Sequence, residues 1–461
     1  KKIFFILIIL FLSFGISYSD IKSNNKCSWD NEINIPCVEI LGKISNTSKF
    51  SKNAIKKIVV SRKDIEDSGA VDLIDVLKNI PNIQITQSGP KGQQASLFMR
   101  GTGSNHTLVL INGISINDQS TTQGLHDFGV DFIQTIQQIE VYPGPNTSNF
   151  GSNAIGGAIN IITTGDYKDY YTFNLSNVEN FDLLANKTFV TEDSSSINFK
   201  FGAVKSKTNS AKFGGKEDDE VNNLSGNLNY EKWINDNTKI TNSTYLRQTI
   251  AEYDNSSTNE IGYEGDNKML TSQFGISNFS KDTKNDIFVF YNNYDREYDE
   301  VGVIDYYESE AIGLKVDSSK IIQDKLSFGL GSEYRYDWGE FQNNGSSYSS
   351  STKGNYDNFS IYGNIGFDLF ENTNFATFLR RDKNKISGSH NTYKLNIEQK
   401  INNFSLGITR MTALRNPTLY EFFGSDSSGY SGNRSLKSEK SDTNQIYSKY
   451  RFSDKIGRAH V

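Results

Sequence analysis

The chain has 461 residues, a formal net charge of −6 and 12% aromatic residues. An acidic balance argues against nucleic acid as a partner. No apolar run reaches the roughly 20 residues that a spanning helix needs, which excludes a helical inner-membrane carrier. Low mean hydropathy with many aromatics instead suits a β-barrel with a wet interior and aromatic rims.

In chain order, Lys1-Lys2 precede ten apolar residues, Ile3–Leu12. That run is too short for a membrane anchor. With small residues Ser17 and Ser19 flanking Tyr18, residues 1–19 read as a signal peptide cleaved before Asp20. Residues 20–54 form a polar segment holding Cys27 and Cys37, the only cysteines. After export they meet an oxidising compartment, so a small disulfide loop is expected, and the absence of CxxC spacing makes zinc a poor reading.

A compact α/β unit follows, within residues 55–168. Ile58-Val59-Val60 is a β-branched run, and Ser61 to Asp64 has the S-x-x-D form of a helix start. Val71, Ile74, Val76, Leu77 and Ile80 predict a helix over 70–80, ended by Pro81. Strands are predicted at 83–85, 95–99, 107–111 and 136–141, with glycines between them where turns require φ > 0.

At this point a resemblance enters. FMRGTGSNHTLVLINGISIN (98–117), IEVYPGP (139–145) and GSNAIGGAINIIT (151–163) resemble the plug domain of TonB-dependent outer-membrane receptors, most closely the cobalamin receptor branch. The resemblance implies an all-β transmembrane barrel filled by an N-terminal α/β plug. It implies a monomer that binds a scarce nutrient, most simply cobalamin, and imports it with energy from a TonB-type partner. A ferric siderophore or other metal chelate is the alternative cargo, and an outer-membrane adhesin the alternative of another class.

The resemblance also implies roles for particular residues. Pairing with the energising protein needs an extended, accessible segment, and Val38, Glu39, Ile40 and Leu41 are the candidate; a plain disordered leader is the other reading. Arg100 matches a plug arginine that ion-pairs with a barrel glutamate, here Glu439 in GNRSLKSEKSD. Pro143 stands where the second such arginine is often found, so half of that lock is missing. Two plug loops would face outward and contact ligand through Gln87, Gln93, Gln94, Asn117, Gln119, Ser120, Thr121 and Thr122, although polar loops also simply suit solvent. Calcium through Asp254, Asp266, Asp295 and Asp299 is implied as well, since that ion takes six to eight oxygens; a solvated acidic loop is the plainer reading. No other cofactor is implied. An enzyme would need a convergent acid/base or nucleophile set. The four histidines, at 106, 126, 390 and 460, form no metal-spaced pair and no triad pattern. A signalling receptor would need a folded N-terminal domain of about 50 residues or more, longer than the polar segment.

From residue 169 the pattern changes to period two. In Leu326–Trp338 the even positions carry Leu, Phe, Leu, Ser, Tyr, Tyr and Trp, and the odd ones Ser, Gly, Gly, Glu, Arg and Asp. Segments 197–203, 224–230, 359–369, 393–397 and 404–408 alternate similarly, each a half-wet strand. Thirteen residues reach about 43 Å, beyond an apolar band of roughly 25 Å. Short connections at 235–236 and 280–285 alternate with long ones at 251–267 and 342–355. Residues 169–461 have room for about 14 strands, whereas plugged outer-membrane transporters close with about 22. The last six residues, IGRAHV, look like translated adapter sequence. The expectation is therefore a barrel truncated at its C-terminus that does not form a functional pore alone.

Overall fold

The computed structural model describes residues 57–450, apart from 166–167, 177–179, 192–194, 211–216, 255–261, 323–325, 346–348 and 427–428. The expected signal peptide, Cys27, Cys37 and Val38–Leu41 lie outside the described residues.

β1 (Ile58–Ser61) runs directly into α1 (Arg62–Ser68). Ser61 accepts from the Asp64 N–H while the Asp64 carboxylate accepts from the Ser61 N–H, the reciprocal cap predicted from S-x-x-D. The second helix is shorter than predicted. α2 covers only Leu73–Leu77, because the Asp72 side chain caps the Asp75 N–H and fixes the start three residues late. β2 (Ile83–Gln87) and β3 (Ala95–Met99) form a hairpin. β4 (Thr107–Ile111), β5 (Ile114–Ser115), β6 (Gln138–Pro143) and β7 (Gly157–Ile162) join β1 in a mixed sheet ordered β1-β6-β7-β4-β5, with β4 and β7 parallel and the short α3 (Thr147–Phe150) between β6 and β7. Every residue of β4 and β7 is buried, as expected of strands covered on both faces. One face packs Val109, Ile111, Ile159 and Ile161 with Ile65, Leu73 and Leu77. The other sets Leu108, Leu110 and Ala158 against Ala376 and Phe378 of the surrounding sheet.

Among the described residues that surrounding sheet has fourteen antiparallel strands, β8 (Tyr170–Leu175) to β21 (Glu439–Tyr450), each paired with its chain neighbours. The expectation of about fourteen strands is met. β8 and β21 are its edges and do not pair with each other, so the sheet is not closed. Its polarity is inverted relative to a water-soluble sheet. Leu330, Ile361 and Leu379 are 65%, 56% and 56% exposed, while Ser327, Asp337 and Ser360 face inward and are buried. An apolar outer face and a polar inner one is how a barrel meets lipid.

The strands are longer than the sequence pattern implied. β16 (Leu326–Asn344) and β17 (Ser349–Phe370) have 19 and 22 residues, so most of the expected long connection at 342–355 is strand. At one end of the sheet, two-residue turns join β11 (Asp218–Asn235) to β12 (Thr238–Glu252), β17 to β18 (Thr373–Asn384), and β19 (Gly388–Ile401) to β20 (Phe404–Arg415). Asn372 and Asn402 take positive φ in two of them, as asparagine tolerates. The other end carries the longer connections, 253–262 and 416–438, but also the tight Val301-Gly302 turn between β14 (Thr283–Glu300) and β15 (Val303–Ile322).

The sheet holds the α/β unit by hydrogen bonds from many directions. Asn227 of β11 donates to Thr163 O, Thr249 of β12 to Val130 O, Asn292 of β14 to Ser115 O, and Lys394 of β19 to Asn146 Oδ1. Stacked in this way, the unit plugs the concave side of the sheet.

Candidate functional site

At the end of the sheet bearing the longer connections, a cavity of about 590 Å³ lies between the plug and the strands. Its floor is two plug segments, Ser88–Ser96 and Asp118–Asp127. Its sides are inward positions of β12, β14, β15 and β13 (Tyr263–Phe279), together with Tyr420 and Asp426. Alternation along β14 aims Tyr294, Arg296, Tyr298 and Glu300 at it from a single strand face. Tyr420 arrives on α4 (Leu419–Phe423), a short helix between β20 and β21. Thr418 caps α4 through the Glu421 N–H, and Glu421 caps back. This inserted segment lies on the plug, with Tyr420 N donating to Gln119 O and Thr418 Oγ1 to Thr121 O. Burial raises the Tyr420 hydroxyl, helped by the Asp426 carboxylate, to about 12.

Five of the eight expected ligand residues line the cavity: Gln93, Gln94, Ser120, Thr121 and Thr122. Gln93 is already occupied, donating to Asp219 Oδ2 and Glu252 O at 3.2 Å each. Three do not line it. Asn117 is buried and braces its own plug, accepting from Val109 N and donating to Thr107 O and Gly124 O. Gln87 donates to Pro90 O, closing its own loop, and Gln119 Oε1 accepts from Tyr356 at 2.7 Å.

The expected Arg100–Glu439 lock is replaced by another arrangement. Arg100 is exposed, sits at a positive φ, and lays its guanidinium against Gly144 where a Cβ would be. It makes no ion pair among the described residues. Glu439 is held by Arg415 at 2.7 Å and by His106 Nε2 at 2.6 Å. Arg415 also pairs with Glu421 at 2.8 Å, tying the α4 segment to the same cluster.

The strong plug-to-sheet ion pairs have the opposite polarity to the one expected: carboxylates on the plug, guanidiniums on the strands. Asp131 pairs with Arg247 of β12, and His126 Nε2 meets the other Asp131 oxygen at 2.5 Å; Asp131 and Arg247 are 5% and 1% exposed. His126 Nδ1 lies 3.2 Å from the Tyr294 hydroxyl. Asp118 pairs with Arg296 of β14 at 2.8 Å and accepts from Ser309 of β15. Burial pushes the Asp131 carboxyl up, but His126 and Arg247 outweigh it and hold it below its ordinary range. Sequence reasoning missed these residues. The one signal available was an arginine at an inward position of a mostly uncharged strand face, as at Arg247, which shares its face with Lys239 alone among charged residues.

The four aspartates expected to hold calcium are not brought together, and among the described residues no group of three or more His, Cys, Asp or Glu could hold a metal. Parity is the reason. Asn267, Tyr294 and Tyr298 face the cavity, so Asp266, Asp295 and Asp299 alternate to the other face, leaving only Asp254 on the lining. Asp266 pairs with Lys268 at 2.8 Å, and Asp299 caps the Gly302 N–H.

Comparison with known proteins agrees with the fold. Residues 51–158 match the profile of the TonB-dependent Receptor Plug Domain. The vitamin B12 transporter BtuB of Vibrio vulnificus is 27% identical over 401 residues, covering 84% of this chain and 63% of that protein. The chain thus spans less than two thirds of that relative's length. The siderophore receptor PirA of Acinetobacter baumannii superposes with a TM-score of 0.72 at 17% identity, covering 87% of this chain and 69% of its own. A variant of the ferric enterobactin receptor PfeA of Pseudomonas aeruginosa gives 0.71 at 16%, with the same coverage. Residues 51–158 thus carry a plug domain of the TonB-dependent receptor type, and the fourteen-stranded sheet of inverted polarity around it has the fold of these outer-membrane receptors.

Proposed function

We propose that this protein captures a nutrient at the outer face of the membrane and imports it when a TonB-type partner pulls on the segment before the plug. The observation that carries this reading is the cavity floored by plug loops 88–96 and 118–127, because a ligand seated there touches the element that must move. Binding and plug rearrangement suffice, and no covalent chemistry is required. Cobalamin or a related corrinoid is the leading cargo, supported by the likeness to BtuB and by amide and hydroxyl groups at Gln94, Ser120 and Thr122 on the floor. A ferric siderophore is the second reading, supported by the likeness in fold to the siderophore receptor PirA and the ferric enterobactin receptor PfeA.

The test is calorimetric titration of cyanocobalamin into the receptor purified in detergent, with and without a calcium chelator. Saturable binding supports the corrinoid reading. Absence of binding by a folded receptor sinks it and leaves the receptor fold untouched.

A further inference from the structure

We infer that the cavity selects uncharged or cationic ligands with flat, apolar faces and rejects polyanionic metal chelates; this rests on the receptor reading above and narrows its cargo.

Charge is the first ground. The described lining carries six carboxylates, Asp118, Asp127, Asp254, Glu300, Asp305 and Asp426, against two guanidiniums. Both guanidiniums are committed to plug aspartates, Arg296 to Asp118 and Arg247 to Asp131. Neither is left over to neutralise a ligand anion. A cleft lined by one sign of charge repels ligands of that sign and concentrates the opposite.

Ring geometry is the second, independent ground. Six tyrosines make a continuous run along this end of the sheet and onto the inserted α4 segment. Tyr263 meets Tyr253 at 5.7 Å, Tyr253 meets Tyr298 at 6.4 Å, and Tyr298 meets Tyr307 at 6.1 Å. Tyr307 meets Tyr420 at 6.0 Å, and Tyr420 stacks on Tyr430 at 5.3 Å. Four of the six, Tyr253, Tyr298, Tyr307 and Tyr420, line the cavity. The protein's own Arg296 guanidinium lies over the rings of Tyr298 and Tyr307, at 5.6 and 4.9 Å. These rings therefore already serve as cation platforms.

A third observation points to a ligand directly. The Arg247 side chain is 1% exposed and lines the cavity, yet its Nε has no hydrogen-bond partner among the described residues. A buried N–H in need of an acceptor suits an amide carbonyl, which brings no charge.

The experiment titrates three probes into the detergent-purified receptor at low and high salt: uncharged cyanocobalamin, singly cationic ferrioxamine B and triply anionic ferric enterobactin. The expected result is binding of at least one of the first two, with ferric enterobactin weaker by about 100-fold at low salt and the gap closing at high salt. The double variant Glu300→Gln, Asp305→Asn should weaken the cationic probe about tenfold and narrow the discrimination against the anion. Ferric enterobactin binding as tightly as the other probes overturns the inference while sparing the receptor reading. Binding of ferrioxamine B without cyanocobalamin sustains the inference and sinks the corrinoid cargo. No binding by any probe, from a receptor with intact strand signal, overturns the cavity as the ligand site.

Discussion

Arg247→Ala should loosen the plug more than any other single truncation on the inner face of the sheet. Arg247 and Asp131 are 1% and 5% exposed, so removing the guanidinium strands a carboxylate away from water with His126 as its remaining partner. Breaking a buried pair from one side costs about 3–5 kcal/mol. Asp131→Ala should cost a similar amount, because it strands the guanidinium instead. The double variant removes both charges and should cost less than the two singles together, by about 2 kcal/mol. Hydrogen exchange of β4 and β7 peptides, read by mass spectrometry in detergent, reports the opening free energy of the plug sheet directly. On that scale 2 kcal/mol is roughly 30-fold in the opening constant. Strictly additive costs, or an Arg247→Ala cost below about 1 kcal/mol, would refute the claim that this pair fastens the plug.

Plug stability should also depend on pH with a definite sign. Burial raises the Asp131 carboxyl and His126 and Arg247 outweigh it, while at Glu140 burial is outweighed by Lys57, Tyr142 and Asn160, so both carboxyls are lowered in the folded plug. A lowered folded value stabilises above the unfolded one and is lost as pH falls through the folded value, so the share contributed by these two carboxyls, read as the difference from the Asp131→Ala variant, should be lost below about pH 4, whereas the buried Asp72 and Asp127, both raised, act with the opposite sign as pH rises. Gly157→Ala should cost about 1–3 kcal/mol in the same exchange assay, since its φ is +153° and a Cβ there would stand 2.5 Å from Tyr142 O and against the Met99 sulfur. Thr418→Ala, which removes the α4 cap and the hydrogen bond to Thr121 O, should cost about 1 kcal/mol. Faster proteolysis within 416–438, with the rest of the sheet unaffected, is the readout, and an unchanged cleavage rate counts against the cap as an anchor for Tyr420.

Much of this protein was legible in its sequence, because the information lies within a few residues. Alternation in Leu326–Trp338 needs only the pleat to become a strand with one wet face, and Ser61 with Asp64 needs only one helical turn to become a cap. Gln93, Gln94 and Ser120–Thr122 were singled out by the resemblance rather than by pattern, and the fold places them on the cavity lining. Pattern could not tell where strands stop. β16 and β17 run through Ser, Asn and Gly that read as loop, because pairing with neighbouring strands overrides local propensity.

What only the tertiary structure decided is which charges meet. Asp131 and Arg247 are 116 residues apart, and Asp118 and Arg296 more distant still. Nothing local in the sequence favours those pairs over Arg100 with Glu439. Their partnership is fixed by the register of β12 and β14 against the plug, where a one-residue slip would turn each arginine toward lipid. The same parity carried Asp266, Asp295 and Asp299 away from the cavity, and the fold gathered tyrosines from β14, β15, the 253–262 connection and a helix onto it. Sequence alone determined the half-wet strands, since periodicity is a local property, while the plug and barrel were what its motifs implied by resemblance. The fastening of the plug and the chemistry of the cavity came from the fold, since both are relations between residues that only strand register brings within reach.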